Sequence, residues 1–229
     1  MDWPAIRDSL PSYASGAWVS FELTFAALAI GMAFALPLAV LRGWPSRWVS
    51  APVWAFTYVI RGTPLLVQLY LVYFGLGQFD AVRASAAWPL LRSAWFCAVA
   101  AFSVNTCAYT IEILHGAMQA VPAGEIEAGR AMGMTRATLL RHVVLPAAFR
   151  RMLPAYGNEV ILMLQATSLA STVTLMDLTG AAREMNSRFY LPFEAFLTAA
   201  AIYFAITAAL VGLFHAAERK WLSPWQSRH

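Results

Sequence analysis

Apolar residues dominate this chain in long blocks, and short polar segments separate the blocks. We expect five membrane spans, because each block is long enough to cross about 30 Å of hydrocarbon. The spans cover residues 14–41, 52–76, 94–118, 152–175 and 192–214. Before them, Trp3, Ile6, Leu10 and Tyr13 follow helical spacing, which predicts a short surface helix at the membrane interface. The pattern predicts an all-α integral membrane protein, with residues 1–229 as one transmembrane domain.

One long polar segment interrupts the apolar pattern between the third and fourth spans. We name residues 121–146 (VPAGEIEAGRAMGMTRATLLRHVVLP) the polar elbow. Pro122 suits the start of a helix, and Gly133 suits the left-handed residue that follows one. Thr135 can cap a second helix, which should stop before Pro146. The segment therefore predicts a helix-turn-helix outside the membrane.

Composition excludes a soluble domain and an ATPase. The chain is 60% hydrophobic and 12% charged, and its mean hydropathy is +0.58. Its net charge of +4 is scattered over short loops, so no nucleic-acid partner is expected. The single lysine, Lys220, precedes Trp221, which rules out a Gly-Lys-Ser/Thr phosphate loop in this chain. Any ATP chemistry must belong to another chain.

Basic residues predict the orientation, because Lys and Arg near span ends stay on the cytoplasmic side. With the N-terminus outside, the inner segments carry twice as many basic residues as the outer ones. The inner set is Arg42, Arg47, Arg130, Arg136, Arg141, Arg150, Arg151, Arg219, Lys220 and Arg228; the outer set is Arg7, Arg83, Arg92, Arg183 and Arg188. We therefore expect a periplasmic N-terminus, a cytoplasmic C-terminus and a cytoplasmic elbow.

Charged residues inside the spans are costly unless they face protein, water or one another. Arg61, Glu112 and Glu159 fall about two turns from the inner ends of three different spans. We predict that they form one ionic cluster near an inner gate. A purely structural pairing that fixes helix register stays open as the alternative.

Uncharged polar residues lie further along the third and fourth spans. Such groups either join helices or line a water-filled cavity. Gln165 favours a cavity, because an amide with four hydrogen-bonding sites is hard to satisfy among apolar neighbours. The candidates for the substrate path or gate are Arg61, Asn105, Glu112, Asn158, Glu159, Gln165 and Ser168.

Two prolines should break or kink spans. Pro64 follows Arg61-Gly62-Thr63 in the second span, and Pro154 lies near the start of the fourth. Interrupted helices around a polar centre are typical of transporters.

No metal, cofactor or catalytic site is expected. His115 and His142 lack further ligands at metal-binding spacing. Cys97 and Cys107 lie ten residues apart on one span, too far to bridge. No nucleophile, base and orienting group recur together, so the chain is not expected to be an enzyme.

The elbow resembles the EAA motif of the permease subunits of ABC importers. The resemblance rests on Glu127-Ala128-Gly129, on Gly133 and on the terminal Leu145-Pro146. It implies a type I importer permease in which these residues couple to a separate ATPase. Gly129 stands where the family usually has Ala, which should loosen the first helix slightly without adding bulk.

Three further segments are similar to signatures of the polar amino acid subfamily of these permeases, and above all to the histidine, lysine/arginine/ornithine, octopine and nopaline systems. They are residues 61–68 (RGTPLLVQ), 108–113 (AYTIEI) and 154–164 (PAYGNEVILML). The resemblance implies an inner-membrane subunit that translocates a polar amino acid or opine by ATP-driven alternating access. It also implies a pair of ABC ATPase subunits, a second homologous permease subunit and a periplasmic solute-binding protein.

The solute itself is left open at this point. Glu112 and Glu159 favour a basic solute if either stays unpaired. However, Gln165-Ala166 stands where many relatives have Lys followed by Asp or Asn, and His115 stands where many have Arg.

The alternative is an ion-driven secondary transporter that uses the buried carboxylates as proton carriers. Five spans without an internal repeat, together with a structured elbow, favour the importer. Dependence on an ATPase separates the two classes.

Overall fold

The computed structural model describes residues 1–226, and the side chains of residues 1–221. Every regular element in this range is helical, which confirms the predicted all-α class. Three helices are long and apolar enough to cross a membrane. Two bent pairs of helices bring the number of spans to five if each pair crosses once. Arg228, which contributes to the charge pattern, lies outside the described residues.

The α-helices are α1 (Trp3–Arg42), α2 (Arg47–Gly62), α3 (Leu65–Tyr70), α4 (Asp80–Arg83), α5 (Trp88–Leu91), α6 (Ala94–Gln119), α7 (Ala123–Ala131), α8 (Arg136–Leu139), α9 (Leu145–Ala166), α10 (Leu178–Phe189) and α11 (Pro192–Gln226). Wider and tighter helical turns extend some of them. A π-helical turn Leu71–Gly75 and a 3₁₀ turn Leu76–Gln78 follow α3, a π-helical turn Leu140–Val144 joins α8 to α9, and a 3₁₀ helix Thr167–Val173 follows α9.

The first span is longer than predicted. Helix α1 runs without a break from an N-cap at Asp2, whose side chain accepts a hydrogen bond from the Ala5 N–H. Tyr13 is 1% exposed, and its hydroxyl donates to the Ala195 carbonyl at 2.8 Å. The separate surface helix predicted for residues 1–13 is therefore wrong. Of the four apolar residues in that spacing, Ile6 and Tyr13 are buried against α10 and α11, whereas Trp3 and Leu10 are 68% and 49% exposed.

The two prolines behave differently. At Pro64 the preceding Thr63 is extended, as a residue before proline favours, and α2 and α3 meet at 101°. The predicted break is confirmed, and the second span is not straight. Helix α9 instead continues through Pro154, so of the break or kink predicted there, the break is wrong. Met152 and Val160, on either side, are both buried against the core, so packing holds the helix together across the lost hydrogen bond.

Helix α6 lies at the centre of the bundle. Its N-terminal half packs in a cluster with Leu23 of α1, Leu69 of α3 and Met163 of α9. Its C-terminal half packs with residues of α1, α2 and α9. Cys97 and Cys107 are both buried and unbridged on this helix, as the spacing predicts. Parts of three other spans therefore pack against α6.

The elbow begins as predicted. Helix α7 ends in a turn where Gly133 is left-handed at φ +77°, and the Thr135 hydroxyl accepts the N–H of Thr138 at 3.3 Å. The second helix does not stop before Pro146, so that prediction is wrong. The chain stays helical through the π turn and into α9, with Pro146 near the start of α9. Proline lacks an N–H, but the first turn of an α-helix does not need one there. The wider π-helical turn before α9 leaves room for the proline ring.

Candidate functional site

A small cavity opens between α3, α6 and α9, and we name it the α6 pocket. Its volume is about 160 Å³. The lining residues are Leu65, Asn105, Tyr109, Glu159, Leu162, Met163 and Ala166. Three of them are polar and four are apolar, so a few polar groups converge on an otherwise apolar cavity.

Glu159 is the charged residue of the α6 pocket. It is 5% exposed, and its Oε1 accepts a hydrogen bond from the Thr106 hydroxyl at 2.7 Å. Its other carboxylate oxygen has no hydrogen-bond partner among the described residues. A buried carboxylate with so little compensation is costly unless a cation reaches it. The arrangement can therefore accept a cationic group from the cavity.

Arg61 does not join an ionic cluster, which corrects the sequence-based prediction. Its guanidinium lies over the Tyr109 ring, with 5.1 Å from Cζ to the ring centroid. Within the described part of the chain it forms no ion pair with Glu112 or Glu159. The bend at Pro64 ends α2 directly after Arg61, so its side chain reaches the pocket wall instead.

Glu112 pairs with Arg42, a partner that the sequence reasoning missed. The Nε of Arg42 lies 3.1 Å from Oε1 of Glu112, and the Thr57 hydroxyl donates to the same oxygen at 2.7 Å. These contacts join the C-terminal half of α6 to the ends of α1 and α2. Arg42 entered the sequence analysis only as an orientation signal. Its position at the end of α1, near the depth of Glu112, was the available clue.

Asn105 lines the α6 pocket and is 7% exposed. Its Nδ2 donates to Oε1 of Gln68 at 3.1 Å. Gln68 was also missed as a functional candidate, although it closes the RGTPLLVQ segment. The signal was its position four residues after Pro64, where a broken helix leaves a carbonyl without a donor.

The remaining path candidates lie elsewhere. Gln165 and Ser168 line an open groove of about 430 Å³ between α9 and α11, together with Tyr203 and Phe204. Gln165 is thus exposed on the wall of this groove, and its place in a water-filled cavity stays a prediction. Asn158 is exposed on α9 and does not line the α6 pocket. The seven candidates therefore occupy the pocket and its edge, the Arg42 pair, the groove and an exposed helix face.

The elbow presents an exposed surface built on a close helix contact. Glu127 and Ala128 are exposed, and Met132 at the turn is 80% exposed. Gly129 is buried, and a Cβ there would lie only 2.5 Å from Cδ1 of Leu139. Glycine at this position therefore lets the two arms of the elbow approach, which adds a packing reason to the expected loosening of the helix.

Comparison with known proteins identifies the class. Residues 15–223 match the family described as the binding-protein-dependent transport system inner membrane component. The chain belongs to this family, so it is a multi-pass inner-membrane permease subunit of an ATP-driven ABC importer and not an enzyme. The secondary-transporter alternative is not supported.

Curated relatives carry transport names. The chain is 44% identical over 214 residues to the octopine transport system permease protein of Rhizobium meliloti, covering 93% of this chain and 86% of that protein. It is 43% identical to the nopaline transport system permease protein of Agrobacterium fabrum, covering 98% and 93%. It is 44% identical to the histidine/lysine/arginine/ornithine permease protein of Salmonella typhimurium, covering 93% and 92%.

Solved structures agree on the fold. An amino acid ABC transporter crystallised with histidines matches with a TM-score of 0.86 and 35% identity, over 96% of this chain and 99% of that one. An inward-facing methionine ABC transporter matches with a TM-score of 0.77 over the same shares, but at 18% identity it shows the fold alone.

Proposed function

We propose that this permease carries a basic amino acid or an opine, and that the solute passes through the α6 pocket. The observation that supports this proposal is the buried carboxylate of Glu159. One of its oxygens accepts a hydrogen bond from Thr106, and the residue lines the cavity. In a site with a low dielectric constant, an ionised carboxylate attracts a cation far more strongly than it does in water. A guanidinium or ammonium group is therefore the expected solute feature at this end.

The carboxylate of such a solute also has a candidate partner, which lies beside Tyr109 in the wall of the pocket. Arg61 lies over that ring and has no carboxylate partner within the described residues. An Arg guanidinium can bind a carboxylate through two parallel hydrogen bonds. Arg61 and Glu159 would then bind the carboxylate and the cationic group of one solute, with Asn105 between them as a hydrogen-bonding amide. The names of the octopine, nopaline and basic amino acid relatives support this choice.

Coupling runs through the elbow to the same helix that carries the pocket carboxylate. We assign ATPase docking to Glu127, Ala128, Gly129, Gly133, Leu145 and Pro146. ATP binding would close a pair of ATPase subunits and move the docked elbow. Because the elbow continues into α9 without a helix end, that motion is transmitted towards Glu159. Access to the pocket would alternate between the two sides of the membrane.

The assembly proposed here contains a second homologous permease subunit, the ATPase pair and a periplasmic solute-binding protein. The N-terminus is periplasmic and the C-terminus cytoplasmic, as the charge bias favours. Glu112, Asn158, Gln165 and Ser168 are assigned to the wider path or gate.

The pocket assignment is tested by charge removal. Glu159→Gln keeps an acceptor for Thr106 but removes the charge, so we expect uptake of radiolabelled arginine to fall by about tenfold or more. The assay uses vesicles that hold this chain with its ATPase, partner permease and binding protein. Glu22→Gln is the matched control, because Glu22 is an exposed span carboxylate bonded to Trp18, away from the pocket. Equal uptake by the Glu159→Gln variant and the wild type would contradict the assignment.

A further inference from the structure

One buried side chain, Gln68, closes the joint between α2 and α3. In a continuous helix the N–H of residue 64 would donate to the carbonyl of Ile60. Pro64 has no N–H, so that donor is missing. The Ile60 carbonyl accepts its shortest hydrogen bond from Nε2 of Gln68, at 2.7 Å, and longer ones from the Thr63 hydroxyl at 3.2 Å and the Thr63 N–H at 3.4 Å. The Nε2 of Gln68 also lies 3.1 Å from the Thr63 carbonyl and 2.8 Å from the Thr63 hydroxyl.

The other end of the Gln68 amide faces the α6 pocket. Its Oε1 accepts the hydrogen bond from Asn105, and both side chains are less than a tenth exposed. The orientation of the Gln68 amide is fixed by the Ile60 and Thr63 carbonyls, which can only accept hydrogen bonds. If the amide were flipped, its oxygen would lie against these two carbonyl oxygens. Gln68 therefore contacts the joint with its nitrogen and a pocket residue with its oxygen.

Both helices that meet at the joint also reach the pocket directly. Leu65, the first residue of α3, lines it. Arg61, in the last turn of α2, lies over Tyr109 of the pocket wall. A change in the angle between α2 and α3 would therefore move two sides of the solute site at once.

We propose that Gln68 is a positioning residue that couples solute binding at Asn105 to the angle of the α2–α3 joint. This inference rests on the proposed function, because it requires a solute in the α6 pocket. A solute that hydrogen-bonds to Asn105 holds its amide in the orientation that donates to Gln68. Gln68 in turn holds the joint in the 101° bend.

The test uses the reconstituted assembly without its binding protein, so that solute affinity reports the permease itself. Equilibrium binding of radiolabelled L-arginine, L-histidine and octopine is measured, together with amide hydrogen exchange of residues 60–71. In the wild type we expect the bound solute to slow exchange in this segment. Gln68→Glu keeps the acceptor for Asn105 but removes the donors to Ile60 and Thr63. We expect it to weaken binding by about tenfold or more and to abolish the solute-dependent protection.

Two further variants keep the test decisive. Gln78→Glu is the matched control, because the exposed amide of Gln78 donates to the Phe74 carbonyl at the far end of the helical turns that follow Pro64. It should change neither solute binding nor hydrogen exchange. Thr63→Val removes one acceptor of Gln68, together with the bonds that the Thr63 hydroxyl donates to the Val59 and Ile60 carbonyls, at an exposed position. It should give an intermediate effect if Gln68→Glu does not fold. The inference is overturned if the folded Gln68 or Thr63 variant binds solute and protects the joint as the wild type does. Absence of ATP-dependent uptake by the wild-type assembly would contradict the proposed function, and the inference with it.

Discussion

Arg151 and Glu125 form an ion pair between α9 and the first turn of α7, with 3.7 Å between Nη2 and Oε1. The Nε of Arg151 also donates to the Ala120 carbonyl, at the end of α6, at 3.2 Å. One guanidinium thus joins three helices at the base of the elbow. Since α9 also carries Glu159, movement of the elbow and the state of the pocket are connected through one side chain and one helix.

Arg151→Ala should uncouple ATP hydrolysis from uptake. The pair is about one-third exposed on each side, so its loss should cost about 1 kcal/mol or less and leave the protein folded. We expect the amount of solute taken up per ATP hydrolysed to fall several-fold, measured in reconstituted vesicles. Arg188→Ala is the control, because its pair with Glu184 lies within α10, away from the elbow. An unchanged ratio for Arg151→Ala would contradict the connection.

The ease with which residue 133 adopts the left-handed backbone conformation should set the activity of the elbow. A Cβ there meets nothing within 4 Å, so a substitution is opposed only by the left-handed backbone. That cost is about 1 kcal/mol for Ala, less for Asn and more for a β-branched residue. We expect uptake per inserted protein to decrease in the order Gly, Asn, Ala, Val. Gly124→Ala, in α7 and equally free of contacts, should behave as the wild type; a fully active Gly133→Val would disprove the turn's role.

Gly129→Ala should raise the helix propensity of α7 but disturb its packing against Leu139. Propensity alone favours Ala by about 1 kcal/mol. The contact with Leu139 opposes it, because the added Cβ would force that side chain to move, at about 1–3 kcal/mol. We expect lower thermal stability and faster proteolysis of the elbow, with partial recovery in Gly129→Ala/Leu139→Val. A single variant more stable than the wild type would show that packing does not decide at this position.

Loss of Arg42 should weaken the packing around the C-terminal half of α6. Arg42→Gln leaves Glu112 partly buried, with only Thr57 as its partner, and removing one member of such a pair costs about 1–3 kcal/mol. Thermal unfolding in detergent should show the loss, and Arg42→Gln/Glu112→Gln should recover part of it. Arg47→Gln, at an exposed position at the start of α2, is the control. Additive effects in the double variant would argue against the pair.

Local signals were enough to predict part of this structure. The break at Pro64, the left-handed Gly133 and the cap at Thr135 each depend on a few neighbouring residues, and each prediction is confirmed. Tyr13 was misplaced because a buried helix face and a membrane-surface face have the same apolar spacing.

Contacts between residues that are far apart in the sequence were harder to predict. Which basic residue meets Glu112 depends on the neighbours of α6 and on the bend in the second span, and no local pattern reports either. The Gln68–Asn105 bond needs the same information. The sequence therefore indicates which polar residues lie inside the spans, but not which of them contact one another.

The most direct test of the central claim is uptake of radiolabelled arginine, histidine and octopine into vesicles that enclose ATP. This chain, its partner permease and the binding protein are compared with and without the ATPase, in the presence and absence of a proton gradient. We predict uptake only when both ATP and the ATPase are present, and none for an inserted Gly133→Asp variant. Uptake driven by the proton gradient without the ATPase would contradict the account and would make Glu159 a candidate proton carrier.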